Sequence, residues 1–248
     1  MKLNYKHNVH IDVLLRTEPS IGREEVKTKR LFLYILSLLV TFVYLYMIWI
    51  YAPPELNLGE RIRIFFQHVA PALTGYLAFG VTLIAGIMYL WKQDLRYDLI
   101  GAASIKIGIV FTTITLLSGM IWANASWGVF WNWDPRETTT LILWIAYACL
   151  IGYRASVNDR DVRAQYGSVF GIIAFPTVIL SYISIHIWGT LHPIVITTEG
   201  LQMGIEHGMT LMVSLIAIGL VYILLLELTY RLDSVAEKLM ELRMQRSG

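Results

Sequence analysis

One cysteine in 248 residues, Cys149, excludes an internal disulfide framework and any clustered-thiol metal centre. It falls in mid-span, where packing is its expected role. Charge is scarce as well: Asp, Glu, Lys and Arg make up 15% of the chain against 56% hydrophobic residues, too little for a soluble domain of this length. The chain has no HExxH pair and no carboxylate constellation, which removes the common hydrolytic metal sites. It also lacks a Gly/Ser- or Pro-rich linker and any repeat of 20–50 residues, so a single domain is expected. The first thirty residues carry neither the apolar core nor the small-residue cleavage site of a secretory signal. The first span is therefore expected to act as an uncleaved anchor.

Long apolar runs are present instead, at 31–52, 69–91, 101–123, 168–186 and 208–229, with a shorter one at 135–152. These predict an all-α integral membrane protein: a six-transmembrane-helix bundle with a tryptophan-rich outer loop between the third and fourth helices. The domain reading is a cytoplasmic segment over 1–30, a membrane domain over 31–230 whose loop spans 122–137, and a cytoplasmic tail over 231–248. The tail keeps helical spacing at Val235, Leu239 and Leu242, and either extends the last helix or lies at the interface. Basic residues orient the bundle. Sixteen of the twenty Lys and Arg fall in the N-terminal segment, the 92–100 and 154–166 loops and the tail, while the opposite loops hold only Arg61, Arg63 and Arg136. Lys106 lies inside the third span, close enough to its inner end to snorkel. The positive-inside rule puts both termini in the cytoplasm and the tryptophan loop outside.

That loop reads WANASWGVFWNWD from Trp122 to Asp134 and holds four of the eight tryptophans. It is too aromatic for a solvent loop and too polar for a span, and suits a platform for a large, flat, apolar ligand with an acidic edge, for which haem is the candidate. Trp49, Trp91 and Trp188 read as interfacial belt residues, whereas the density of Trp127, Trp131 and Trp133 around Gly128 exceeds what anchoring requires. Asp134-Pro135-Arg136-Glu137 has the form of a helix start, with Asp134 as N-cap and Glu137 placed for a capping box. Gly167 and Gly171 form a small-residue packing pattern and Pro176 a kink. His68, His186, His192 and His207 gather on the tryptophan side, while His7 and His10 lie in the N-terminal segment. Two imidazoles on opposite faces would make a haem iron six-coordinate, although any one histidine at a span end also reads as a hydrogen-bonding interfacial residue. Arg61, Arg63 and Arg136 are cations for propionates or, for the first two, for lipid phosphates.

The segment WGVFWNWDPRET resembles the WWD signature of the haem-handling superfamily of cytochrome c maturation. With six spans, FFQHVAPA in the first outer loop and WGTLHP in the third, the chain is similar to the cytochrome c maturation protein C (haem exporter protein C) family over about 61–193. The resemblance implies His68 and His192 as axial ligands of haem b, with Trp127, Gly128, Trp131, Trp133 and Asp134 against the macrocycle. It implies delivery to a membrane-anchored periplasmic haem chaperone in the bacterial inner membrane, beside the ATPase and membrane subunits of an ABC-type transporter and a small single-span subunit. It implies no enzymatic step and no nucleic-acid partner. Two alternatives remain open: the haem-attaching cytochrome c synthetase, whose PKET the PRET here echoes, and a b-type cytochrome, which would place paired histidines inside facing spans. A non-haem channel would put polar residues at mid-membrane, where few are found.

The orientation is testable by membrane-impermeant thiol labelling in cells. Val129→Cys is expected to label from outside and Asn158→Cys only after the membrane is opened.

Overall fold

The computed structural model describes residues 20–56, 58–192, 196–197, 200–201 and 203–247. Among the described residues there are seven α-helices: α1 Ser20–Tyr46, α2 Ile62–Lys92, α3 Leu95–Trp127, α4 Pro135–Ser156, α5 Arg160–Ala174, α6 Pro176–Ile187 and α7 Ile205–Ser247. They supply six stretches long and apolar enough to cross a membrane, α5 and α6 together forming the fifth. A π turn, Met47–Tyr51, closes α1, and a short antiparallel pair, β1 Ile196–Thr197 with β2 Gly200–Leu201, precedes α7. The all-α six-span architecture expected from the apolar runs is the one observed. His7, His10 and the rest of segment 1–19 lie outside the described residues.

The helices outrun the apolar runs that announce them. α2 begins at Ile62 because Ile62, Phe65 and Phe66 are buried with Ile48, Ala52, Trp122 and Leu211 in one cluster. The segment read as an outer loop, FFQHVAPA, is therefore helical, and His68 stands near the start of α2 rather than on a loop. At the other end of the chain, α7 runs for 43 residues, about 64 Å at 1.5 Å per residue and well beyond a hydrocarbon core of about 30 Å. The tail thus continues the last helix. It is tied back by Lys106 to Asp233 at 2.7 Å, and by Arg163–Glu237 and Arg160–Glu241.

α2 and α3 form the central hairpin, turned by Gln93 in the left-handed region (φ 53°) and by Asp94, whose side chain accepts from the Arg96 N–H at 3.0 Å. They meet closely because a Cβ at Gly108 would lie 2.7 Å from Phe79. Phe79 in turn stacks on Tyr147 of α4 at 3.8 Å. Several hydroxyls inside the spans return their hydrogens to helix carbonyls: Thr112 donates to Gly108 and Thr115 to Phe111, each at 2.8 Å. Pro176 breaks the fifth span between α5 and α6, and Thr177 donates to the Ala174 carbonyl at 2.7 Å there.

At the end opposite the tryptophan loop, Arg154 grips Asp98 through both guanidinium nitrogens, at 2.7 and 2.9 Å. The pair is buried, and Gly167 makes room for it, since a Cβ there would meet Nη1 at 2.6 Å. Removing one partner strands a buried charge. Asp98→Ala is expected to destabilise the protein by about 3–5 kcal/mol, and Asp98→Ala with Arg154→Leu by clearly less, as measured by thermal unfolding in detergent.

Candidate functional site

α3 ends at Trp127 on Gly128, whose left-handed backbone (φ 78°) lets its N–H reach the Asn124 carbonyl at 3.0 Å. The chain then crosses to α4 through Val129–Asp134. Asn132 accepts from the Asp134 N–H at 3.0 Å and gives its own N–H to Glu137 at 3.2 Å. Glu137 therefore reaches back over the loop, taking the Asn132 N–H and facing the Asp134 N–H as a capping box requires. Asp134 itself caps α4 as expected, accepting from the Arg136 N–H at 2.9 Å.

The Asp134 carboxylate does more than cap. It is 6% exposed and accepts from the Thr190 hydroxyl at 2.8 and 2.9 Å, the Leu191 N–H at 2.8 Å and Nδ1 of His192 at 2.9 Å. Burial pushes its pKa up, but the Leu191 and Arg136 N–H groups, Thr190 and His192 outweigh burial and hold it below the ordinary carboxylate value. For His192, burial is the largest influence and keeps the imidazole below its usual pKa despite the neighbouring anion. A neutral imidazole facing an acceptor-only carboxylate carries its hydrogen on Nδ1, which turns the Nε2 lone pair away from Asp134.

His68 and His192 line one cleft, together with Trp131, Arg136, Glu137 and Tyr76. His68 is half-buried against α3, its Nδ1 3.1 Å from the Ser118 hydroxyl. Trp127 meets His192 edge-on at 5.0 Å. Trp131 turns a buried Nε1 that finds no partner among the described residues. Below, Ser181 joins the hydroxyls of Tyr76 (2.8 Å) and Thr140 (2.9 Å). Arg136 donates to the Tyr182 carbonyl at 3.1 Å. As it stands the cleft holds about 40 Å³, room for water but not for a macrocycle.

Of the residues singled out from sequence, the fold brings His68, His192 and Trp131 to the cleft, with Trp127 and Asp134 against His192 and Gly128 at the loop's hinge. Trp133 is not brought in: it is 70% exposed and meets Trp131 at right angles, 5.7 Å between ring centroids. His186 is exposed, and His207 donates Nε2–H to the Pro53 carbonyl at 2.9 Å, a structural role. Arg61 is held by the Ala125 carbonyl, and Arg63 by Glu60 and the Ile48 carbonyl. Ser118, Gly119, Thr190 and Glu137 were not picked out as site residues from the sequence. In apolar or turn segments such residues read as helix packing and caps, and only the pairing of Ser118 with Gly119 one helix away from a histidine could have signalled more.

Trp133 adopts a left-handed backbone (φ 62°), which costs a non-glycine residue about 1–2 kcal/mol. Trp133→Gly removes that strain along with an edge contact worth about 0.5–1.5 kcal/mol. Its thermal stability in detergent is expected to stay within about 1 kcal/mol of the parent.

A family model described as "Heme exporter protein C" matches residues 17–246. The chain is similar to the heme exporter protein C of Bradyrhizobium diazoefficiens, 32% identical over 142 residues that cover 57% of this chain and 54% of that protein. It is likewise 30% identical to the heme exporter protein C of Haemophilus influenzae and to that of Escherichia coli (strain K12), in each case over 142 residues, 57% of this chain and 58% of the relative. The matched stretch thus spans a little over half the length of these relatives. With the family model covering nearly all of the chain, the protein belongs to the haem exporter protein C family.

Proposed function

We propose that this protein holds haem b at the outer face of the bacterial inner membrane and delivers it to a membrane-anchored periplasmic chaperone for c-type cytochrome biogenesis. The observation that carries the reading is that His68 on α2 and His192 beyond α6, far apart in sequence, line one cleft at the tryptophan-loop end. Two imidazoles are too few for a bare ion, which takes three or four protein ligands, and no group of three or more His, Cys, Asp and Glu able to hold a metal occurs among the described residues. Two are what a macrocyclic iron needs, and haem supplies that iron when bound.

The other residues fit the same ligand. Arg136 is the cation at the cleft, placed for a propionate. The unpartnered Trp131 Nε1–H offers a second polar contact and its ring an apolar face. Because the cleft holds about 40 Å³, loading requires the tryptophan loop and the 190–192 segment to withdraw from α2 and α3. The protein acts as a carrier: its residues bind, orient and release, and carry out no bond-forming step on a protein substrate. Its partners are the chaperone, the ATPase and membrane subunits of an ABC-type transporter and a small single-span subunit.

An absorption spectrum of the detergent-purified protein, oxidised and reduced, tests this. The wild type is expected to show a low-spin bis-histidine haem that disappears in the His68→Ala, His192→Ala double variant. Haem retained unchanged in that variant, or a wild type that takes up no haem, sinks the assignment.

A further inference from the structure

The two histidines are held by partners of different strength. The Ser118 hydroxyl gives its one hydrogen to the Ile114 carbonyl at 2.7 Å. Toward Nδ1 of His68, 3.1 Å away, it can then only accept, which favours the hydrogen on Nδ1 and the lone pair on Nε2; the Thr115 carbonyl is a second neutral acceptor for the ring. Gly119 admits the ring, since a Cβ there would stand 3.0 Å from Cε1. His192 has the same tautomer for a different reason: its Nδ1–H faces the buried Asp134 carboxylate at 2.9 Å. An anion drawing on Nδ1–H makes the opposite nitrogen a more basic ligand than a neutral hydroxyl does.

The surroundings of the two residues differ in the same sense. Asp134 staples Thr190, Leu191 and His192 to the tryptophan loop through the Thr190 hydroxyl, the Leu191 N–H and the imidazole. Its contacts with the helix pair are fewer and neutral: the edge of Trp127 at the end of α3 against His192 at 5.0 Å and, deeper, the Tyr76–Ser181 hydroxyl pair at 2.8 Å. When the cleft opens, its natural seam runs between the stapled unit bearing His192 and the helix pair bearing His68.

We propose that the two are unequal axial ligands: His192, backed by Asp134, keeps hold, and His68, backed by Ser118, yields its place to the incoming donor of the accepting protein. Asp134 and Ser118 are positioning residues that act through the imidazoles. The proposal rests on the haem-holding reading above. The exchange is a ligand substitution. His68 would give up its bond through Nε2 and keep the electron pair, and a lone pair from the incoming donor would take its place, with no electron transferred.

The test uses the full-length, haem-loaded protein in detergent, with release followed into excess apomyoglobin. His192→Ala is expected to lose haem at least ~10-fold faster than His68→Ala, the scale set by outer-shell effects on ligands. Asp134→Asn is expected to raise the reduction potential, because the anion behind His192 favours the oxidised iron; Ser118→Ala should move it less. Equal release rates, or faster release from His68→Ala, overturn the ordering. If His192→Ala does not fold, Asp134→Asn in the His68→Ala background decides, and an unchanged release rate there overturns it. Nitrogen-15 NMR of the histidine side chains in the haem-free wild type needs no variant at all: an Nε2–H tautomer at His192 overturns the proposal. A wild type without a low-spin haem spectrum overturns the underlying haem reading instead, so the two failures are distinguishable.

Discussion

A buried carboxylate must find donors or neutralise, and Asp134 finds them in two separate parts of the chain. The Arg136 N–H belongs to the first turn of α4, the Thr190 hydroxyl and Leu191 N–H to the segment after α6, and the Nδ1–H to His192. One charge thereby starts a helix, fixes a loop that leaves another span and sets the tautomer of an imidazole. Such a network is worth more than the sum of its pairs, because losing any donor leaves the same anion underpaired in a site with little water. The geometry of the cleft follows from this constraint more than from any aromatic contact.

In the rest of the bundle many polar side chains of the spans find partners. Thr112 and Thr115 return their hydrogens to α3 carbonyls, Ser104 bonds the Ala78 carbonyl at 2.7 Å, and Trp144 gives its indole N–H to Thr113 at 2.8 Å. Against that background the unpartnered indole of Trp131 is informative. Unpaired buried donors are uncommon in native structures, and each calls for an explanation. Ser37, Ser126 and Tyr147 also keep a buried oxygen without a partner among the described residues; Trp131 is set apart from them by lining the cleft with both histidines.

Much of this was legible in the sequence, though unevenly. The spans could be read because lipid demands continuous apolar helices, and the Asp134-Pro135 start because capping chemistry is local. Helix ends were less legible: α2 starts at Ile62 since Phe65 and Phe66 bury against Ile48 and Trp122, contacts that no window of apolarity contains. The histidines and tryptophans stood out by type and crowding. What supports them did not, because Ser118 and Gly119 are ordinary residues of a spanning helix and Thr190 an ordinary turn residue. Their roles exist only once α2, α3 and the 190–192 segment are brought together. Trp133 shows the converse: its place in the motif suggested a wall of the site, and the left-handed backbone at that position turns it outward.

That turn bears on how a tightly stapled cleft can open at all. The crossing from α3 to α4 is bounded by two left-handed residues, Gly128 and Trp133. Glycine holds that conformation freely, whereas tryptophan is strained in it by about 1–2 kcal/mol. A loop pinned at Asp134 and strained at its neighbour is closer in energy to a second arrangement than a relaxed loop would be. Any movement that lets Trp133 return to an ordinary backbone recovers part of the cost of parting the cleft. The staple ties Asp134 to the 190–192 segment, so both left-handed positions, Gly128 and Trp133, lie on the loop side of it.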